Sequence, residues 1–147
     1  MVIVCFIGNG QVSRSIATYH SDIHIEKSGE YDKITLENSF HSTVELGLPE
    51  LPVYIQSFVV PIDAKLNGVT VNGINKQKLE RTFYVYPAQP PMPVSTQYDA
   101  DDFTPPNPAV YNSSKPYQGK QAEILSDELY LGYRIITVQL YYLKTIT

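Results

Sequence analysis

The residue types that could do chemistry are few in this chain, and their spacing does not favour catalysis. The lone cysteine, Cys5, lies within the apolar run 2–7, where burial would raise the pKa of its thiol and make it inert. Serine is common, but it never occurs in the G-x-S-x-G turn that presents a nucleophile. The sequence therefore predicts a protein that is not an enzyme.

Histidine and aspartate supply the candidate metal ligands. His20 and His24 are four residues apart and could lie on one face of a strand or a helix. His41 is distant in sequence, so no third ligand is spaced to join them. The acidic segment 99–102 lacks the glycine and the terminal glutamate of an EF-hand loop. We therefore expect no metal site and no cofactor.

Nucleotide and nucleic-acid binding are also not expected. The segment Gly8-Asn9-Gly10-Gln11-Val12-Ser13 partly matches the dinucleotide-binding pattern G-x-G-x-x-G, but Ser13 replaces the third glycine and no βαβ pattern follows. A net charge of −4 without clustered Lys and Arg argues against nucleic acid as a partner. No stretch reaches the roughly 18 apolar residues of a membrane-spanning helix, so no membrane span is expected.

Short β-strands are the elements that this sequence predicts. Its 12 Tyr, 11 Pro and 8 Gly suit pleated strands that are joined by tight turns. Alternating apolar and polar residues predict a hairpin that turns at Ser28-Gly29-Glu30. Strands are predicted at 23–26, 34–37, 53–60, 66–71, 82–86, 122–125 and 130–143, and a weak helical pattern spans 12–19.

The predicted fold class is all-β, with a single antiparallel β-sandwich of jelly-roll type over residues 1–147. A hydrophobic content of 43% suffices for one sizeable core. In the last β-prone run, Gly132 is expected to permit a bulge while alternate side chains fill the core. The predicted buried positions include Val53, Ile55, Val59, Val85, Ile136, Val138 and Leu140.

A long Pro-rich loop is predicted between Pro87 and Gly119. Its prolines remove backbone donors and fix φ, which argues against both helix and central strand. Long loops inside compact domains often carry function, so this loop is the first candidate for a partner contact. Lys115 is its only basic residue, and Pro116 follows directly.

Three segments carry a resemblance to a known family. The segment Gly47-Leu48-Pro49-Glu50-Leu51-Pro52-Val53-Tyr54 continues to Val59-Val60-Pro61. It resembles a "G-x-P-x-L-P-V" then "V-x-P" segment of the propeptides of gingipain-like (C25) cysteine peptidases. The segments 111–119 and 129–141 are similar to later motifs of the same propeptides. The resemblance covers roughly residues 29–143, and Leu131 stands where the family often has Arg.

The resemblance implies a prodomain-like β-sandwich that assists the folding of a secreted cysteine peptidase and blocks its cleft. The partner would be a peptidase domain, fused or separate, and the chain would be secreted or at the cell surface, although no signal peptide is visible. If the peptidase prefers basic side chains, Lys115 is the candidate to fill its pocket. Pro116 would then hinder cleavage by restricting Lys115 and lacking an N–H, and Tyr117 would complete the contact.

The alternative is a cell-surface module that binds carbohydrate or protein, because the sandwich fold hosts many such functions. Exposed tyrosines on a flat sheet face would favour sugar stacking. A protruding Pro-rich loop with a basic tip would favour the peptidase block.

Overall fold

The regular structure of the computed structural model is almost entirely antiparallel strand, with almost no helix, which confirms the all-β class. It describes residues 2–7, 10–15, 22–37, 39, 41–72, 79, 81–91, 102–115 and 117–143, with the backbone alone for the first two ranges. Nine strands and a single helical turn account for the regular structure of these residues. The face-to-face arrangement of a jelly-roll sandwich stays a prediction.

A three-stranded sheet contains β1 (Val2–Ile7), β2 (Gly10–Ser15) and β7 (Leu66–Asn72). β1 is central and pairs antiparallel with both neighbours. The segment with the partial dinucleotide pattern therefore leads into a strand, where a nucleotide fold would begin a helix. The helical pattern predicted over 12–19 is wrong for residues 12–15, which lie in β2, and residues 16–19 are outside the described ranges.

The predicted hairpin is confirmed as β3 (Ile23–Ser28) and β4 (Tyr31–Leu36). Gly29 adopts a φ of 63°, which glycine tolerates without strain, and it turns the chain where the sequence predicts. His24 is exposed on β3, whereas His20 is outside the described residues.

The largest sheet has four strands in the order β5-β6-β9-β8, and all its pairings are antiparallel. They are β5 (His41–Ser42), β6 (Pro52–Val60), β8 (Ala122–Tyr130) and β9 (Tyr133–Tyr141). The run 130–143, predicted as one strand, instead includes a hairpin turn. Gly132 (φ 82°) is part of that turn, and the bulge lies in β8 between Ile124 and Ser126.

The main core covers one face of this four-stranded sheet. Phe58 and Val60 of β6 pack there with Ile136, Val138 and Leu140 of β9, and side chains of β7 pack against them. Five of the seven predicted buried residues are buried: Val53, Val85, Ile136, Val138 and Leu140.

The predictions for Ile55 and Val59 are wrong, because 37% and 60% of these residues are exposed. Successive side chains of a strand point to opposite faces. Phe58 and Val60 point into the core, so the residue between them faces outward.

A second cluster contains Ile34 of β4, Leu51 and Val85, with Tyr117 packed against it. The segment 82–86 was predicted as a strand, but it forms no ladder. Its β-pairing is limited to two isolated bridges, Asp32 with Val85 and Pro49 with Pro87. The Tyr84 N–H donates to the Asp32 carboxylate, so it is not available to a neighbouring strand, and Pro87 follows the segment without an N–H.

Asp32 fastens this segment to the β3–β4 hairpin. The residue is 1% exposed, and its carboxylate accepts from the Tyr84 N–H (3.0 Å) and pairs with Lys27 (3.0 Å) and Arg81 (3.2 Å). Tyr31, which directly precedes Asp32, stacks on Tyr84 with 4.9 Å between the ring centroids. The buried negative charge of Asp32 is thus compensated by one amide and two cationic side chains.

The Pro-rich loop contains the one helical turn, α1 (Pro108–Tyr111), which corrects the prediction that this loop excludes helix. Proline is tolerated at the first helical position, since its missing N–H would have no partner there. The Asn107 side chain accepts from the Ala109 N–H and caps the turn. Asn107 also donates to the carbonyl of Gly47, whose φ of 73° favours glycine.

Candidate functional site

The predicted contact residues lie just after α1. Lys115 is exposed, and its main-chain N–H donates to Ser113 Oγ (3.1 Å). Tyr117 is half-buried against the second core cluster, and this burial raises the pKa of its hydroxyl, as does the nearby charge of Glu45. Pro116 is outside the described residues. Lys115 therefore projects from a short turn whose following tyrosine is anchored in the core.

Lys115 and Tyr117 line a narrow cleft with Tyr111, Pro49 and Phe83. Its volume is about 10 Å³, so the cleft has room for no more than a water molecule. Tyr111 supports one wall by donating its hydroxyl to the Val85 carbonyl (2.8 Å). This site can present a cation to a partner, but it cannot enclose a ligand of its own.

The described part of the Pro-rich loop after residue 101 is held against the body. Gln89 and Thr104 exchange two hydrogen bonds, of 2.9 and 2.8 Å, and Asn107 donates to Gly47 (2.8 Å). Residues 102–115 therefore form a braced support. Residues 92–101 lie outside the described ranges.

An exposed apolar surface, which sequence reasoning missed, lies at the turn between β8 and β9. We call residues 129–133 the β8–β9 tip. Its large side chains are mostly exposed: Leu129 (65%), Tyr130 (64%), Leu131 (80%) and Tyr133 (63%). The sequence feature that could have indicated this turn is the Leu-Gly pair between two tyrosines. A two-residue hairpin turn needs positive φ at its central residues, and glycine adopts positive φ readily.

The backbone of the β8–β9 tip is unusual. Leu131 has a φ of 48° and Gly132 a φ of 82°, the signs required at the two central positions of a type I′ turn. Glycine adopts positive φ freely, but a leucine there costs about 1–2 kcal/mol. Among the described residues, the most exposed large hydrophobic side chain is therefore held at a strained position.

The register places more apolar side chains beside the β8–β9 tip. Val59 of β6 is opposite Ile135 of β9 on the outer face of the four-stranded sheet. The turn after β6 carries exposed Ile62, and Arg134 donates to the Ala64 carbonyl, which fixes that turn next to the tip. Several exposed apolar side chains therefore lie at this end of the sheet.

Charges at this end are partly neutralised. Asp127 forms two hydrogen bonds of 2.7 Å with Arg134, and these bonds lower the pKa of its carboxyl. The other charged side chains around the tip are exposed: Asp63, Lys65 and Glu128. The charges of Asp127 and Arg134 neutralise each other. The remaining charged side chains around the tip therefore carry a net negative charge.

A third feature is a cavity of about 190 Å³ between β4 and the segment around Tyr86. Lys33, Thr35, Glu50 and Tyr86 line it, and the Lys33 ammonium lies 4.5 Å from the centroid of the Tyr86 ring. Because the cation occupies this ring face, an apolar ligand would have to displace it.

The described residues group no three His, Cys, Asp or Glu side chains as a metal ion would require. His41 is exposed on β5 and Asp102 is exposed near the start of the braced loop segment, far from forming such a group. Within the same part of the chain, no helix is long and apolar enough to cross a membrane.

Comparison with known proteins returned nothing: no family model, no curated protein and no solved structure matches this chain.

Proposed function

We propose that this chain is a non-catalytic, prodomain-like module that assists the folding of a gingipain-like cysteine peptidase and inhibits it. The observation that carries the proposal is the exposed Lys115 on a braced turn, within segments that resemble the propeptides of that family. Such a module would act outside the cell, secreted or at the cell surface, on a peptidase domain that is fused or separate.

The support under Lys115 favours inhibition by a preformed contact. Ser113 holds the Lys115 amide, Tyr111 is fixed to Val85, and Tyr117 packs into the second cluster. Because the backbone of this turn is already ordered, binding costs the entropy of the Lys115 side chain alone, which strengthens binding relative to a flexible loop. The proline after Lys115 would restrict it and deny a backbone N–H to the peptidase.

The test is to titrate the purified chain against a gingipain-like cysteine peptidase of basic specificity while following substrate hydrolysis. We expect Lys115→Ala to raise the inhibition constant at least tenfold and Lys115→Arg to retain inhibition. Lys120→Ala is the matched control, because Lys120 is an exposed lysine outside the cleft that pairs with Glu123. Equal inhibition by wild type and Lys115→Ala would remove Lys115 from the contact, and no inhibition by any variant would contradict the function.

A second candidate function, carbohydrate binding, is favoured by one observation. Tyr130 and Tyr133 pair across β8 and β9, and both are exposed on the same sheet face. Exposed aromatic rings can stack on sugar rings. Titration with cellohexaose and chitohexaose, followed by tyrosine fluorescence, tests this candidate. An unchanged spectrum for both oligosaccharides would count against it.

A further inference from the structure

The cavity beside β4 exists because the chain segment next to it changes its hydrogen-bond partners. Tyr86 donates to the Asp32 carbonyl of β4 (2.9 Å), but the Tyr86 carbonyl accepts from the Glu50 N–H (2.9 Å). Ala88 then donates to the Leu48 carbonyl (2.8 Å). The segment therefore leaves β4 after a single bridge, and the cavity of about 190 Å³ lies between the two. We call this cavity the β4 fork.

The strand register directs main-chain groups of Ile34 into the β4 fork. Pairs in an antiparallel ladder alternate between hydrogen-bonded and non-hydrogen-bonded. Glu37 donates to the Asp22 carbonyl (2.8 Å) at the open end of the β3–β4 hairpin. The Ile25–Ile34 pair lies three residues further in, so it is a non-hydrogen-bonded pair. The Ile34 N–H and C=O therefore point away from β3, and within the described part of the chain they have no hydrogen-bond partner.

Lys33 adds a cation that has no acidic partner. Glu26 lies directly opposite Lys33 on β3, yet Lys33 forms none of the ion pairs found among the described residues. Its ammonium instead lies 4.5 Å from the centroid of the Tyr86 ring, on the far side of the β4 fork. An anionic group placed beside β4 would therefore supply the charge that Lys33 lacks.

The hydrogen-bonding groups of the β4 fork match an extended peptide. A peptide main chain offers both an acceptor for the Ile34 N–H and a donor for the Ile34 C=O, which is how a strand adds to a sheet edge. Alternate N–H groups of such a strand point to its other side, where the Glu50 carboxylate lines the cavity and can accept. The volume of about 190 Å³ exceeds the roughly 150 Å³ of a cavity that binds benzene, so a side chain has room to enter.

We propose that the β4 fork binds an extended peptide that pairs with the main chain of Ile34 and presents an aspartate or glutamate side chain to Lys33. Main-chain hydrogen bonds would supply affinity, and the lysine would supply the preference for an acid. This inference goes beyond the proposed function and does not depend on it. The β4 fork is lined by β4, Glu50 and Tyr86, whereas Lys115 lines the separate narrow cleft.

Isothermal titration calorimetry of the whole chain with blocked pentapeptides tests this site. The probes alternate valine and threonine around a central aspartate or a central lysine, and a third probe carries the aspartate between N-methylated amides, which cannot donate. We expect the aspartate peptide to bind at least tenfold more tightly than the lysine peptide and the N-methylated peptide. Lys33→Glu should reverse the preference between aspartate and lysine. Lys120→Glu is the matched control, because it makes the same charge change at an exposed lysine that does not line the β4 fork and should keep the wild-type preference.

Each part of the proposal has an outcome that overturns it. No binding of the aspartate peptide by the wild type overturns the site. Equal binding of the aspartate and lysine peptides, or a preference that Lys33→Glu leaves unchanged, overturns the role of Lys33. Equal binding of the N-methylated peptide and its parent overturns strand addition. Binding of the lysine peptide by Lys33→Glu would show at once that this variant is folded, and Lys33→Met, which removes the charge alone, should bind both peptides equally.

Discussion

At the scale of single residues, Asp32 shows how one buried carboxylate can organise a segment that has no regular structure. Burial raises the pKa of Asp32, but the hydrogen bond with Lys27, the Tyr84 amide and the charges of Lys27 and Arg81 together lower it below its ordinary value of 3.8. The Asp32 main chain also bonds to Tyr84 and Tyr86 (2.7 and 2.9 Å). The segment is therefore held by charge and backbone together.

The lowered pKa predicts a stability that depends on pH. The unfolded chain binds the proton more readily than the folded chain, so the contribution of Asp32 is present above its unfolded pKa and is lost as pH falls through its folded pKa. We expect Asp32→Asn to lower the free energy of unfolding by about 1–3 kcal/mol at pH 7 and by less at pH 3. Urea denaturation of both proteins at the two pH values measures this, and an equal difference at both would show that the charge plays no part.

At the scale of secondary-structure elements, the strands of the four-stranded sheet have sharply different faces. In β9, Ile136, Val138 and Leu140 are fully buried, and the residues between them are partly exposed. In β6 the same alternation places Phe58 inside and Val59 outside. The residue types thus decide that these segments form strands. Which face of each strand is buried depends on the layer that packs against the sheet.

Truncation in these two strands tests that assignment. We expect Leu140→Ala to lower the free energy of unfolding by about 2–5 kcal/mol, because it leaves a cavity in the main core. Val59→Ala should change it by no more than about 0.5 kcal/mol, because the side chain is already in solvent. Chemical denaturation of both variants gives the comparison. A large loss for Val59→Ala, or a wild-type value for Leu140→Ala, would reverse the assigned faces.

At the scale of the whole molecule, stability is distributed unevenly over the two core clusters and three sheets of the described residues. β9 has a long strand on each side, whereas β8 is an edge and β5 pairs over only two residues. The β3–β4 hairpin contacts the rest mainly through the Asp32 bridge and the second cluster. We therefore expect the main core to be the most stable region.

Native-state hydrogen exchange should report this gradient. Amides of β9 are bonded to both neighbours and lie over the main core, so we expect them to exchange most slowly. Alternate amides of β8 face the open edge and should exchange much faster, and the β3–β4 hairpin should be intermediate. Protection of the hairpin that exceeds that of β9 would contradict the gradient.

The sequence by itself determined the all-β class, most strand positions and the turn at Gly29, because alternation and turn chemistry are local properties. It also singled out Lys115 as the only cation of the Pro-rich loop. Only the tertiary structure decided that Val59 faces outward, that segment 82–86 forms no ladder and that α1 braces the loop. These outcomes depend on which layers and neighbours a segment meets, which local sequence does not encode. The β8–β9 tip belongs to the same group, because the exposure of Leu131 follows from the pairing of β8 with β9 and from the absence of any described segment packed over their turn.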